Sequence, residues 1–321
     1  MNLKERVLSF LESKRDIIVS GESIARALGV SRNSIWKAIN ALKKDGYPIT
    51  SQSNTGYVLS KDADIFNASK IQAEASSDIE VVFLDEATSS NDIAKRLATE
   101  GAKEGTVVVV ARQSEGRGRM GRSFISNEEN GLYMSIILRP SISAMQSLKI
   151  TIIGALATLE AIEETSGASC GIKWVNDIFI GDKKVCGILT EAALSFESGS
   201  LDYAVLGIGV NVTPPKNGFD AEIKDIATSI YQNKAPNDYK SILCAKIVDK
   251  FFHYYKNIEG DEYISLYRER SILIGKRVEV VRGEMVYSGI VVDIDNDANL
   301  VLRVGDEELK FNSGEARIKK R

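Results

Sequence analysis

Histidine is almost absent from this chain. In 321 residues there is one, His253, set among aromatics in FFHYY. That setting predicts a structural side chain on a helix, and a lone histidine removes Ser-His-Asp and His-metal chemistry from consideration. Cysteine is nearly as scarce. Cys170, Cys186 and Cys244 show no metal-ligand spacing and are odd in number, so free thiols in a reducing cytoplasm are expected. No apolar run approaches the roughly 18 to 20 residues of a membrane span. The first residues, MNLKERVLSFLESKRD, mix charge and apolarity at helical spacing, which does not suit a signal peptide. Internal repeats and low-complexity tracts are missing too. With no metal cage and no nucleophile motif, any chemistry must rest on electrostatic positioning.

What is present is ordinary in bulk and uneven in distribution. The 44% hydrophobic and 26% charged composition is that of a soluble protein, long enough for two or three domains. Residues 1–60 carry nine Lys and Arg against five Asp and Glu, a net of +4. With a total of −3, that leaves −7 for the rest. A small basic module joined to an acidic body is the expectation.

Apolar residues at helical spacing (Leu3, Val7, Phe10, Leu11) predict a first helix. Ser20 is placed to cap a second helix, ended by Gly29, and Ser31 to cap a third with the buried stripe Ile35, Ala38, Ile39 and Leu42. The tight joint Gly29-Val30-Ser31 suits a helix-turn-helix. A hairpin over 48–59, turning at Asn54-Thr55-Gly56, completes a winged-helix arrangement over residues 1–64, whose last four form a polar linker. Residues 65–270 alternate helical and strand patterns. Buried strands are expected at 107–111 and 132–138, a long apolar helix at 148–162, and strands at 172–180, 184–194 and 203–212. Turns at 181–182 and 197–200 make this part antiparallel, so the class is α+β. Residues 271–321 show short alternating strands, which predict a small β-barrel of SH3-like size.

Two cationic elements carry the chemistry. RQSEGRGRMGR puts Arg112, Arg117, Arg119 and Arg122 in a loop pinned by glycines. Sixty residues on, KWVNDIFIGDKKVCG holds Lys173, Asp177, Lys183 and Lys184. One flexible and one strand-borne positive element suit capture of an anion followed by closure, because arginine forks match phosphate and carboxylate oxygens. The string Gly116-x-Gly118-x-x-Gly121 matches a dinucleotide fingerprint, but it leads into a turn and a strand, not a helix, and its intervening arginines crowd a pyrophosphate turn. The third helix exposes Arg32, Asn33, Trp36 and Lys37, residue types that read bases and phosphates in a major groove; a solvated protein-binding face is the alternative. Trp36 fits either that exposed face or a core position under the wing. Asp293, Asp295 and Asp297 have calcium-loop spacing, but Ala298 and Val304 occupy the required Gly and Glu positions, so a plain hairpin turn is expected.

With these motifs assembled, the chain closely resembles the bifunctional biotin–protein ligases that double as biotin operon repressors. The resemblance spans essentially the whole chain and rests on TSSN at 88–91, GRGRMGR at 116–122, KWVND at 173–177, KVCGILTE at 184–191 and GIGVNV at 207–212. It implies a central domain related to class II aminoacyl-tRNA synthetases. It also implies a biotin site of Ser89, Ser90, Asn91, Gln113, Arg117, Gly118, Arg119, Lys184, Gly187, Gly207 and Gly209, the glycines letting backbone approach the ligand. Arg122, Phe124, Lys173, Asp177 and Asn211 are implied to meet the nucleotide, Asp177 through Mg²⁺, with Arg119 and Lys184 as the catalytic pair. The implied substrates are biotin and ATP. The implied partners are a biotin carboxyl carrier protein, operator DNA and a second copy of the chain when biotinoyl-AMP is bound. Two positions depart from the family: Val175 replaces a usual Pro, which is expected to loosen its turn, and Phe124 replaces a frequent Trp. A ligase with an N-terminal domain that does not bind DNA, a ligand-sensing regulator without ligase activity, and a lipoate or octanoate ligase are the competing readings.

Overall fold

The computed structural model describes residues 2–52, 55–143, 146–194 and 201–318. Its N-terminal unit contains α1 (Leu3–Glu12), α2 (Gly21–Leu28), α3 (Arg32–Lys44), β1 (Ile49–Gln52) and β2 (Gly56–Leu59). Each helix starts where a side chain satisfies a free backbone N–H. Asn2 and Glu5 form a capping box on α1, while Ser20 and Ser31 accept from Ser23 and Ser34 at 3.0 and 3.1 Å. Gly29, at φ +67°, takes the left-handed turn between α2 and α3. Leu11, Ile24, Ile35, Ile39, Leu42 and Leu59 are buried together under the antiparallel β1–β2 wing. The expected helix-turn-helix is therefore present, and Trp36 is 55% exposed, not core. Asn54, at the expected wing turn, lies outside the described residues.

The linker after β2 is pinned, not loose. Ala63 and Ile65 are fully buried. Arg15 donates to the Ala63 carbonyl at 2.9 Å and pairs with Asp238 at 2.5 Å, and the Asp238 carboxylate also accepts from the Ile65 N–H at 2.6 Å. Lys70 adds bonds to Glu12 at 2.5 Å and Glu74 at 2.7 Å. Charges from both sides of the linker thus meet in one desolvated knot.

The central domain follows as α4 (Ala68–Glu74), β3 (Val81–Ala87), α5 (Ser90–Thr99), β4 (Val107–Gln113), β5 (Gly131–Leu138), α6 (Ser147–Ser166), β6 (Cys170–Lys173), β7 (Asp177–Ile180), β8 (Lys183–Leu194), β9 (Leu201–Asn211), α7 (Tyr239–Tyr255) and α8 (Glu262–Glu269). The seven strands run in the order β3-β4-β5-β9-β8-β7-β6. Among the described residues, β3 and β4 are the only parallel neighbours in this sheet. Alternation along β4 assigns its faces. Val108 and Val110 pack with Ala94 and Ala98 of α5, whereas Val107 and Val109 join the main core with α6 and α7. Helices on both faces explain why β4 and β5 read as unbroken apolar runs. Each such fully buried side chain contributes about 1.5–3 kcal/mol.

The single strand expected over 172–180 is two strands. β6 turns at Trp174–Asn176 and returns as β7, with Lys173 facing Asp177 in register. The error has a physical source. Ile172, Trp174, Val175 and Ile178 are all buried, so apolar residues continue through the turn and no exposed polar run marks it. Trp174 and Val175 are joined by a cis peptide. The turn is held by Trp174 Nε1 donating to the Ala298 carbonyl (2.9 Å) and Tyr267 donating to that of Val175 (3.0 Å), partners that hold a turn carrying valine in place of proline. The turn expected at 197–200 lies outside the described residues.

The C-terminal domain has β10 (Arg277–Arg282), β11 (Met285–Ile294), β12 (Leu300–Val304), β13 (Glu307–Phe311) and β14 (Glu315–Ile318). Their order, β13-β12-β11-β10-β14, leaves β13 and β14 as edges. The expected barrel is thus an open five-stranded sheet among the described residues. Asp295 accepts from Asn299 and Lys310, closing the plain hairpin turn anticipated for the aspartate triplet.

Candidate active site

Parallel pairing of β3 with β4 brings their C-terminal ends side by side, and the site forms there. Chain leaving β3 enters α5 through Ser89, Ser90 and Asn91, all at most 5% exposed. Chain leaving β4 becomes the arginine loop. Ser114 and Glu115 N–H groups donate to the Ala87 and Thr88 carbonyls, so the two exits are stitched together. α5 begins at this corner, and its N-terminal end contributes a partial positive field there that favours an anion.

The arginine loop is folded as a small hairpin over the corner. Gly118 N–H donates to the Arg122 carbonyl at 2.7 Å and Phe124 N–H to that of Gly116 at 2.8 Å. Arg119–Gly121 makes one 3₁₀ turn at the tip. The loop thereby covers a cleft lined by Ser90, Asn91, Gln113, Arg117, Arg119 and Lys184, among others. A second cleft shares Arg119, Phe124, Asn176 and Lys184 with the first. Its far wall carries Lys173, Asp177, Arg122 and Glu315. The two cationic elements, sixty residues apart in sequence, meet at the boundary between the clefts.

The floor of the first cleft is a set of interlocking polar groups. Gln113 Oε1 accepts from the Ser90 N–H at 2.7 Å, and its amide donates to Ser126 at 3.1 Å. Ser135 Oγ lies 2.8 Å from Ser90 Oγ and 2.6 Å from Asn91 Oδ1. Gly207 of β9 is required here, because a Cβ would stand 2.2 Å from Asn91 Oδ1; at Gly209 it would meet the Phe124 ring at 2.8 Å. The glycines were expected to admit ligand. In this structure they admit Asn91 and Phe124, and that ring also packs edge-on to Tyr133 at 6.2 Å. Gly187 lies beside the same ring and Lys184.

At the boundary, Lys184 Nζ is 2.7 Å from Asp177 Oδ1, and Arg119 donates to Asn176 Oδ1 at 3.1 Å. Asn176 is itself aimed by donating to the Ile188 carbonyl. Burial pushes Arg119 below the usual guanidinium range, with Asp177 opposing the shift. Lys173 is likewise lowered by burial, against Asp177 and Glu315. Cations made uncomfortable by desolvation are poised to gain from an arriving anion.

Other expected site residues are placed differently. Arg117 lines the first cleft while pairing with Asp92 at 2.9 Å. Arg122 reaches Glu315 of the C-terminal sheet at 2.5 Å. Asn211 borders neither cleft, and its amide donates to the Thr228 carbonyl at 3.0 Å. Sequence reasoning missed Asn176, Ser135, Glu191 and Glu315. Of these, Asn176 and Glu191 sat inside recognised strings, whereas nothing in GEARIK marks Glu315 as the partner of Arg122, 193 residues earlier.

Arg122 and Arg317 hold the Glu315 carboxyl down to about 2. Its ordinary value is about 4.3. A carboxyl depressed by folding stabilises fully above the higher value and loses that contribution as pH falls through the lower one. Replacing Glu315 with Gln should therefore open a stability gap from the wild type that is constant above about pH 5 and shrinks towards pH 2. Urea unfolding at several pH values reads this, and a gap independent of pH would contradict the latch.

Comparison with known proteins places these features. Residues 84–211 match the biotin/lipoate A/B protein ligase family, residues 4–58 an HTH domain and residues 273–317 the biotin protein ligase C-terminal domain. The chain is 33% identical over 322 residues to the bifunctional ligase/repressor BirA of Bacillus subtilis, covering 98% of each. It is 24% identical over 286 residues to the Escherichia coli protein of the same name, covering 88% of this chain and 87% of that one. Among solved structures, the biotin protein ligase of Aquifex aeolicus in complex with biotin and ATP superposes with a TM-score of 0.62 at 28% identity, over 75% of this chain and 99% of that chain.

Proposed function

The chain belongs to the family of the bifunctional ligase/repressor BirA, and on that premise we propose that it activates biotin with ATP, hands it to a carrier lysine, and represses transcription through its winged helix. The single observation carrying the ligase reading is the meeting of Arg119 and Lys184 at the boundary of two adjoining clefts. Biotin occupies the first, its polar ring system against Ser89, Ser90, Asn91 and Gln113 and its carboxylate against Arg117, Gly118 and Arg119. ATP occupies the second, with Phe124 against the base and Lys173, Asp177 and Arg122 around the phosphates. Asn211 acts through its bond to Thr228, not by touching nucleotide.

A biotin carboxylate oxygen attacks the α-phosphorus while the bond to the β-phosphate oxygen breaks and pyrophosphate leaves. The two reactants are anions that repel in water. Arg119 and Lys184, which line both clefts, lower that repulsion and hold the charge of the transferring phosphoryl group. The closed loop then keeps water from the mixed anhydride. An acceptor lysine amine attacks its carbonyl, AMP leaves, and the amine sheds its proton. Among the described residues no group of three or more His, Cys, Asp or Glu is placed to cage a metal. Asp177 would be the residue to hold Mg²⁺ beside the nucleotide phosphates, and the ion would there supply charge neutralisation for the departing pyrophosphate.

Incubation with labelled biotin, ATP and a biotin carboxyl carrier domain tests the reading. Label should enter the carrier only with ATP, and an unlabelled carrier would count against ligase activity. For the repressor half, Arg32, Asn33, Trp36 and Lys37 of α3 enter the major groove, with the wing beside them. Replacing Lys37 by Ala should lower the salt slope of binding to the biotin operator by about one, with little change in sequence preference. Gel shifts across a salt series read this, and an unchanged slope would remove Lys37 from the interface. Bound biotinoyl-AMP orders the loops into a homodimer surface that pairs two winged helices on two half-sites. Sedimentation with saturating adenylate should show the dimer.

We also assign residues 1–64, 65–270 and 271–321 as the three domains, the central one related to class II aminoacyl-tRNA synthetases and the last a small β domain of SH3-like size. The cytoplasm, where ATP and carrier protein are found, is the proposed location. No helix among the described residues is long and apolar enough to cross a membrane.

A further inference from the structure

We infer that Glu191 is a positioning residue that couples the floor of the first cleft to the arginine loop. It stands at mid-strand on β8, where residues on either side are small or apolar, and it touches neither cleft. Its two carboxylate oxygens point in different directions. Oε2 accepts from Asn91 Nδ2 at 2.8 Å, and Oε1 is 2.9 Å from Lys95 Nζ. Lys95 lies 3.1 Å from Asp92 Oδ1, and Asp92 Oδ2 holds Arg117 of the loop at 2.9 Å. A continuous chain of charges thus runs from a floor amide to a loop guanidinium, with one carboxylate serving both ends.

The first branch fixes an orientation. An amide side chain has a donor end and an acceptor end, and rotating it by half a turn exchanges them. A carboxylate can only accept, so Glu191 forces Nδ2 of Asn91 towards itself and Oδ1 towards Ser135. The hydroxyls of Ser135 and Ser90, 2.8 Å apart, are ordered in turn. Asn91 is 3% exposed and Ser135 fully buried, so the bond between them is shielded from water and its direction depends on what holds the Asn91 amide. A ligand with fixed donors and acceptors meets a floor already set.

The second branch acts on closure. Arg117 is one of the groups enclosing the cleft, and Asp92 anchors it to the α5 side of the site. Asp92 is aligned by Lys95, which Glu191 anchors. Disturbing this one glutamate should therefore both blur the floor and free the loop, two effects that a purely structural residue has no reason to join.

This inference rests on the proposed ligase reading, and the test separates the two. Full-length protein is assayed for biotin-dependent pyrophosphate release. Tryptic cleavage within 112–122 and the Tm are followed in parallel. Glu191→Ala should raise the KM for biotin about tenfold to a hundredfold, the loss expected for hydrogen bonds to a charged group, with kcat within about threefold. Glu191→Gln keeps an oxygen for Asn91 but gives up the ion pair. It should recover KM to within about threefold of wild type while its loop is still cut faster. Lys95→Met should also speed cleavage, with a smaller rise in KM than Glu191→Ala. If the alanine variant does not fold, the Gln and Met variants decide. A wild-type KM and cleavage rate in Glu191→Ala, or a lowered Tm with both unchanged, overturns the inference. If the wild-type protein releases no pyrophosphate with biotin, the ligase reading fails instead, and biotin binding by calorimetry then tests the relay alone.

Discussion

Arg119→Ala should slow adenylate formation by about 10²- to 10³-fold, the usual cost of removing one preorganised donor at a developing charge. Three observations place the effect at this arginine ahead of its neighbours. Arg117 is already paired with Asp92, and Arg122 with Glu315. Among the described residues the Arg119 guanidinium has no ion pair within 4 Å; it donates to the neutral amide oxygen of Asn176, feels Asp177 from farther off, and lies on the wall shared by both clefts. Burial has lowered its proton affinity, so its charge is poorly solvated before substrate arrives. Loss of this group should also let the mixed anhydride escape, and filter binding should find adenylate released from the variant during turnover. Arg119→Lys should recover only part of the rate, because an ammonium supplies charge without the two-pronged fork. Full adenylate retention and a near-normal rate in the alanine variant would remove the loop from catalysis.

Asp238→Ala should have the largest effect on stability, about 3 kcal/mol, from removing one partner of a buried charge network. The carboxylate accepts from the Ile65 N–H and pairs with Arg15, and Lys70 lies 3.6 Å away. The backbone adds to the cost, since residue 238 sits at φ +61°, a region aspartate and asparagine tolerate better than alanine. Asp238→Asn should thus be milder, keeping the backbone geometry and one acceptor. Both changes loosen the linker that joins the winged helix to the catalytic domain, so proteolysis at Lys61 should accelerate with the catalytic domain left intact. Urea unfolding and timed digestion read the two effects, and wild-type values in Asp238→Ala would show the knot to be incidental.

The legible parts of this protein were those set by local chemistry. Ser20, Gly29 and Ser31 mark helix ends through bonds spanning three or four residues, and the stripe from Ile35 to Leu42 needs only a helical period to be read. The mostly apolar α6 and the antiparallel strands after it follow the same logic. Local signals failed where a pattern continued through a break, as across the β6–β7 turn. They failed again where a partner came from far along the chain. Asp238 and Ile65 are 173 residues apart, and Arg122 and Glu315 are 193. Nothing in either segment announces the other, because two exposed-looking charges become a latch only after the domains pack. The site shows the same division. Its strings were recognisable, yet Asn211 stands outside the clefts and Glu191, inside a recognised string, carried no visible role.

A double-mutant cycle at Arg119 and Lys184, read as the affinity for a non-hydrolysable biotinoyl-adenylate analogue, asks most directly whether both cations hold one phosphate. Binding by the wild type, Arg119→Ala, Lys184→Ala and the double variant should reveal a coupling of about 0.5–3 kcal/mol. Fully additive losses, or wild-type affinity in either single variant, would mean that the two groups do not act on a common acyl-phosphate.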